Sequence, residues 1–197
     1  IRDSIYAAMI ENLDNNFGRV IDFLKNNGLY ENTIIVFTSD HGGLSNRGNG
    51  RPLATSNLPL RAGKGHNYEG GIKVPLFVVW EDKIKKGLSN TLVTGTDHFP
   101  TLLDLVGIKL MNDKHLDGIS FKNSLMGKFQ DTSKRPVFWH SPRPRPKSTG
   151  DLANTTVRLG DFKLLDFYRE GRIELYNLKE DQGETNDLSD IMPQKRD

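Results

Sequence analysis

The sequence predicts an α/β fold that ends in a small antiparallel β-sheet. Three observations carry that prediction: one long amphipathic helical pattern, two short apolar runs with strand chemistry, and a C-terminal series of short alternating segments parted by glycine turns.

Between Asp3 and Lys25, the residues Ile5, Tyr6, Met9, Ile10, Leu13, Phe17, Val20, Ile21 and Leu24 recur at spacings of three and four. That is one apolar face of a helix that should pack on a sheet. Asn26-Asn27-Gly28 stops it, because Gly28 can take the left-handed conformation that closes a helix. Thr33 to Thr38 is β-branched and apolar on both faces, as an interior strand covered by helices on each side would be. Residues 42–65 are rich in Gly, Asn, Ser, Arg and Pro and show no period, and a loop of that length inside a compact domain is usually functional. A second buried strand pattern runs from Val74 to Trp80, with Pro75 near its start, where a missing donor is tolerable. Asp97 to Gly107 reads as a helix with proline in its first turn and glycine at its end.

The first domain is expected to close near Gly127, so that residues 1–128 form the α/β part and residues 129–197 the antiparallel subdomain. In the latter, Pro136 to His140 reads as a short strand and Arg143 to Lys147 as an extended proline-rich loop. Residues 155–159, 162–167 and 172–177 then form a three-stranded meander with turns at Gly160-Asp161 and Glu170-Gly171. Residues 192–197 are expected to fray.

At 197 residues the chain can bury a substantial core. Hydrophobic residues at 36%, charged residues at 26% and a net charge of +2 lack the basic excess of a nucleic-acid binder, so nucleic acid is not an expected partner. No apolar run is long enough to cross a bilayer, no membrane partner is expected, and the first residues lack the profile of a signal peptide. With no cysteine, disulfides and thiolate metal ligands are excluded.

The chemistry concentrates after the first strand pattern. Asp40-His41-Gly42 stands at its carboxyl end, which is where open parallel sheets bind ligands. An adjacent oxygen and nitrogen ligand can supply two corners of a metal site. On the tripeptide alone, a carboxylate that ends a strand and a solvated histidine explain it equally well. The stretch 61-RAGKGHNYEGGIKVP-75 then sets Lys64 between glycines, a lone cation suited to an anionic group, with His66 two residues on.

Together these stretches resemble the sulfatase family, whose pattern after its metal-binding strand is G-K-G-x-x-x-E-G-G-x-R-V-P. The segments YAAMIENLDNNFGRVIDFLKNNGLYENTIIVFTSDHGG upstream, TDHFPTLLDLVGI downstream, and VRLGDFKLL with ELYNLKEDQGETNDL follow in the family's order, so the resemblance spans nearly the whole chain. It implies an α/β sandwich of the alkaline-phosphatase type with a smaller C-terminal antiparallel sheet. It also implies Asp40 and His41 as ligands of a divalent cation, usually Ca2+, that holds the sulfate oxygens. Lys64 would be the catalytic and substrate-binding lysine, a point cation beside the leaving oxygen. Many members carry Asn where this chain has His41, and calcium prefers oxygen, so the metal's identity and the histidine's part stay open. Lys73 stands where Arg is common, and Glu69 is expected to anchor the loop by hydrogen bonds.

His66 and His140 are the further substrate-binding candidates. His140 belongs to Trp139-His140-Ser141-Pro142, which with Arg143, Arg145 and Lys147 is similar to a loop that many bacterial carbohydrate sulfatases carry after the core. The resemblance thus implies a sulfated carbohydrate or aryl sulfate substrate and a periplasmic or secreted enzyme.

The family's nucleophile is a formylglycine made from Cys or Ser in a C/S-x-P/A-x-R motif near the start of the catalytic domain. The nearest imitation here, 141-SPRPR-145, has Arg143 where Pro or Ala is required and lies downstream of the metal pair. No paired acidic residues precede the first helix pattern. The expectation is a C-terminal segment of a longer sulfatase, inactive alone and dependent on a missing N-terminal half for formylglycine and the remaining ligands. Two alternatives stay open: a phosphatase or phosphodiesterase of the same superfamily, and a non-catalytic module that binds sulfated glycans through the basic loop.

Overall fold

The computed structural model describes residues 3–45, 53–145 and 150–197. In chain order they form α1 (Ser4–Asn26), a 3-10 turn (Tyr30–Asn32), β1 (Ile35–Thr38), the one-turn helix α2 (Glu69–Ile72), and β2 (Leu76–Val79). A second 3-10 turn (Gly95–Asp97) runs into α3 (His98–Leu105), followed by α4 (Lys122–Leu125), β3 (Pro136–Ser141), β4 (Asn154–Leu159), β5 (Phe162–Phe167), β6 (Arg172–Asn177) and α5 (Pro193–Arg196). They fall into two compact units, one of Ile1–Phe23, Phe37–Leu76 and Ser133–Asp197, the other of Leu24–Val36 and Phe77–Thr132.

α1 starts where the Asp3 carboxylate accepts the Tyr6 N–H at 3.0 Å. It ends at Gly28, whose φ of 63° lets the Leu29 N–H turn back to Leu24 O at 2.9 Å. Its apolar face is not buried: Ile5, Met9, Leu13, Val20 and Phe23 are exposed, and half-buried Phe17 meets Phe37 of β1 edge-on with centroids 5.4 Å apart. The interior-strand expectation also needs correction. β1 and β2 form a two-stranded sheet in which half-buried and exposed residues alternate, and Val36, Phe77 and Val79 face outward. Among the described residues each of these strands has one neighbour and one covered face, so only every second side chain is shielded.

In the second unit the helix read from Asp97 to Gly107 is present, divided between a 3-10 turn and α3 and closed by Gly107 at φ 74°. Asp97 is buried and fully used. Its Oδ2 accepts the Thr94 N–H at 2.7 Å and its Oδ1 the Ile119 N–H at 2.9 Å. Thr101 Oγ1 accepts the Phe121 N–H at 3.0 Å, which ties the strap ahead of α4 onto α3.

The C-terminal sheet is antiparallel in the order β3-β4-β5-β6. The short strand at Pro136 therefore joins the meander as a fourth, edge strand, which is where proline is tolerated. One inward-facing row crosses the sheet as Val137, Arg158, Lys163 and Tyr176, and the next as Trp139, Thr156, Leu165 and Glu174, with Arg158 and Trp139 half-buried. Leu165, Phe167, Tyr176 and Leu178 make the core with Tyr68. The same face also hides Lys163, Glu174, Asn154 and Thr156. A sheet that covers a helix has little use for such groups. This one covers residues 61–71, whose backbone donors and acceptors need polar partners once buried. The expected fraying at the C-terminus is likewise corrected: α5 forms, and Lys195 Nζ sits 3.9 Å over the Phe162 ring.

Candidate functional site

Asp40 and His41 sit just past β1. The Asp40 side chain is 80% exposed, and its Oδ2 lies 3.1 Å from His41 Nε2. His41 Nδ1 is 3.0 Å from Gly42 O. A carbonyl only accepts, so Nδ1 carries the proton and Nε2 presents its lone pair toward a carboxylate. Two electron-rich atoms at that distance call for a positive charge between them. Two neighbouring ligands each about 2.3 Å from a divalent cation lie about 3.2 Å apart, so the pair has the bite of two adjacent corners. It offers no more than that. No group of three or more His, Asp or Glu that could hold a metal ion occurs among the described residues.

Lys64 is exposed, and its backbone N–H donates to Gly43 O at 3.1 Å. The glycine loop that follows His41 and the glycine loop that carries Lys64 are therefore in direct contact. A second bond joins them from the far side, Gly42 N–H to Gly71 O at 2.9 Å. Glycine is required by this approach: a Cβ on Gly42 would overlap Gly70 O, and one on Gly63 would strike Gly43 O and Ser45 Oγ.

Asn57 locks the arrangement, and sequence reasoning missed it. Its Oδ1 accepts the Gly43 N–H at 3.1 Å, while its Nδ2 reaches Gly43 O at 2.8 Å and both Ser45 Oγ and Ala62 O at 3.0 Å. An asparagine in a Ser- and Gly-rich loop reads as a turn residue, so nothing in the sequence singled it out.

The remaining sequence candidates are placed differently. His66 is largely buried. Its Nδ1 donates to Gly63 O at 3.1 Å, and its Nε2 lies 3.7 Å from Asp151 Oδ1. Asp151 Oδ2 accepts the Asn67 N–H at 2.7 Å. Burial pushes the Asp151 carboxyl above its usual range, against the pull of the Asn67 N–H and of His66. His66 thus ties the Lys64 turn to the chain entering β4. His140 is exposed on the opposite face of the sheet's edge strand, bonded to Thr155 Oγ1 at 2.9 Å and stacked on Tyr168 with centroids 6.3 Å apart. Arg143 and Arg145 are exposed, and Lys147 lies outside the described residues.

Beneath the Lys64 turn lie two buried polar clusters. In the first, the Arg61 guanidinium stacks 3.8 Å from the Tyr68 ring centroid and donates to Tyr176 Oη at 2.8 Å and Glu184 O at 2.9 Å. Tyr68 and Tyr176 both donate to Glu174 Oε2, at 2.6 and 2.8 Å, and Arg172 pairs with the same carboxylate. In the second, Lys163 lies between Glu69 and Glu184. Glu69 therefore anchors its segment as expected. A signal for Lys163 existed: in 162-FKLLDF-167 it shares the phase of Leu165 and Phe167, so period-two alternation points it inward.

With this geometry in hand, the family Sulfatase matches residues 3–108, and N-sulphoglucosamine sulphohydrolase, C-terminal, matches residues 63–196. The chain belongs to the sulfatase family. A sulfatase of Formosa agariphila is 36% identical to this sulfatase chain over 201 residues, 93% of this chain and 35% of that protein. An N-acetylglucosamine-6-O-sulfatase of Bacteroides thetaiotaomicron is 29% identical over 93% of this chain and 31% of that protein. The crystal structure of Ps i-CgsB in complex with k-i-k-neocarrahexaose superposes with a TM-score of 0.74 at 28% identity, covering 94% of this chain and 39% of that one. The sulfatase chain thus has the mixed α/β architecture of the alkaline-phosphatase-like superfamily, and it spans about a third of the length of these curated relatives. No described helix is long and apolar enough to cross a membrane.

Proposed function

We propose that this chain is the C-terminal part of a sulfuric ester hydrolase that acts on sulfated carbohydrates, with the nucleophile supplied by a further part of the same domain. The observation that carries the proposal is the pair of backbone bonds, Lys64 N–H to Gly43 O and Gly42 N–H to Gly71 O, which hold a strand-end carboxylate and a loop lysine on contiguous glycine loops. Asp40 and His41 would hold a divalent cation, Ca2+ by family habit, that neutralises the sulfate oxygens. The Lys64 ammonium would stabilise charge on the leaving oxygen as the S–O bond breaks. A formylglycine in that further part would supply the attack on sulfur.

For the sugar, His140 backed by Tyr168 offers an exposed aromatic surface, and Arg143 and Arg145 add charge for an anionic chain. His66 serves by holding the Lys64 turn. Two facts support dependence on a further part of the domain: α1 buries none of its apolar residues, and the described residues bring no third ligand to the Asp40-His41 pair.

The test compares hydrolysis of an aryl sulfate and of a sulfated oligosaccharide by the 197-residue chain and by a polypeptide that restores the upstream domain. Turnover is expected only from the restored protein. Lys64→Ala should reduce its kcat by about a hundredfold or more. Robust turnover by the 197 residues alone would refute the proposal.

A further inference from the structure

β5 and the turn after β6 send two charged side chains to the one-turn helix that precedes β2. Lys163 Nζ, wholly buried, lies 3.1 Å from Glu69 Oε1 and 2.8 Å from Glu184 Oε1. The other oxygen of Glu184 accepts the Glu69 N–H at 2.7 Å, and Arg158 Nη1 stands 3.8 Å from Glu69 Oε2. Two carboxylates and two cations balance there, with Lys163, Glu69 and Glu184 buried and Arg158 at the partly exposed margin.

Such a set is a poor source of net stability, because stripping water from four charges offsets most of their attraction. What it does supply is a fixed geometry, and the segment it grips needs one. α2 is four residues long and includes Gly70 and Gly71, so it has neither the length nor the propensity to form by itself. Glu184 also sits at φ 52°, a left-handed conformation unfavourable for a residue with a side chain, and it directs its carboxylate under Glu69. From Glu69 the constraint runs both ways. The Gly70 N–H bonds Arg61 O at 2.9 Å, at the start of the Lys64 loop, and Gly71 O takes the N–H of Gly42, the residue after His41.

We propose that Lys163, clamped by Glu184, is a positioning residue for this sulfatase: through Glu69 and α2 it sets the placement of Lys64 relative to the Asp40-His41 corner. The C-terminal sheet is then part of the catalytic machinery at one remove. The proposal rests on the reading of Lys64 as the cation at the leaving oxygen. Lys163 touches no substrate; it acts through Glu69.

The experiment uses the enzyme with its upstream domain. Lys163→Met keeps the length of the side chain and removes its charge. A triple variant, Lys163→Met with Glu69→Gln and Glu184→Gln, removes all three charges of the clamp and guards against a single variant that fails to fold. Three readouts are taken: the urea midpoint, amide exchange in the peptide covering residues 61–72, and sulfate-ester kinetics. Exchange in 61–72 should quicken about tenfold, and kcat should fall about a hundredfold with KM little changed, since a displaced Lys64 is missed chiefly in the transition state. The triple variant should regain the wild-type urea midpoint while kcat stays low. A triple variant normal in both midpoint and kcat would overturn the proposal. So would a Lys163→Met enzyme that loses stability with exchange and kcat untouched. If the wild-type enzyme hydrolyses no sulfate ester, the functional reading itself has failed. Exchange in 61–72 then decides on Lys163 alone, and unaltered exchange sinks it.

Discussion

Asn57 joins the two glycine loops through both ends of one amide, so its removal should be felt beyond its own turn. Net gains of about 0.5–1.5 kcal/mol per hydrogen bond, part-exposed here, put Asn57→Ala at about 2 kcal/mol of lost stability, measurable by urea unfolding. Tyr68 offers a second test at this scale. Burial pushes its phenol up to about 12, with Arg61 pulling the other way. A spectrophotometric titration of the five tyrosines should show a fraction that resists ionisation at pH 11, and that fraction should shrink in Tyr68→Phe while Tyr176, which burial also raises, still titrates late. Legibility followed chemistry at this level. Asp40, His41 and Lys64 stood out as candidates because strand ends and glycine loops are where exposed function is expected. Asn57 and Asp151 could not, because their roles are fixed by partners 14 and 84 residues away.

β5 and β6 came out of the sequence with their ends correct, since the glycine turns at Gly160 and Gly171 bound short apolar-rich runs and leave little freedom. α2 did not, because two glycines argue against a helix, and what holds it is tertiary: the contacts of Glu69 and the bonds from Gly70 N–H to Arg61 O and from Gly42 N–H to Gly71 O. β1 and β2 were legible as strands but not in their burial, which depends on what lies against them. Within β5, Phe167 is nearly fully buried with the Arg172 guanidinium 3.8 Å from its ring centroid, so Phe167→Ala should cost about 3–5 kcal/mol and shift the urea midpoint accordingly.

The turns after β6 also predict an acid limb. Burial would raise Asp187, but donation from the Leu175 and Ser189 N–H groups holds it below the usual carboxylate range. For Asp181 burial is outweighed in the same way by the Asn186 and Thr185 N–H groups. A depressed folded pKa contributes stability above the unfolded value of about 3.9 and loses it as pH falls through the folded one. Unfolding midpoints should therefore drop below about pH 4, and Asp187→Asn should flatten that drop.

At the scale of the whole molecule the question is what covers the apolar side chains that the described residues leave bare. Scattered exposed apolar residues are ordinary, but α1 repeats them along one face at Ile5, Met9, Leu13 and Val20 and buries none. An amphipathic helix owes most of its stability to the surface its apolar face packs on. α1 should accordingly be the weakest long element of the isolated chain. Its amides should exchange orders of magnitude faster than those of β4 and β5, whose bonds are shielded by the inner-face core. If the proposed function holds, adding the further part of the domain that it calls for should slow exchange across residues 4–26 and leave β4 and β5 little changed. Strong protection of α1 in the 197-residue chain alone, at a concentration where it is monomeric, would mean that the helix needs no further cover. It would remove the structural support for a missing half. Protection that rises with protein concentration would instead show copies of the chain covering one another's bare faces.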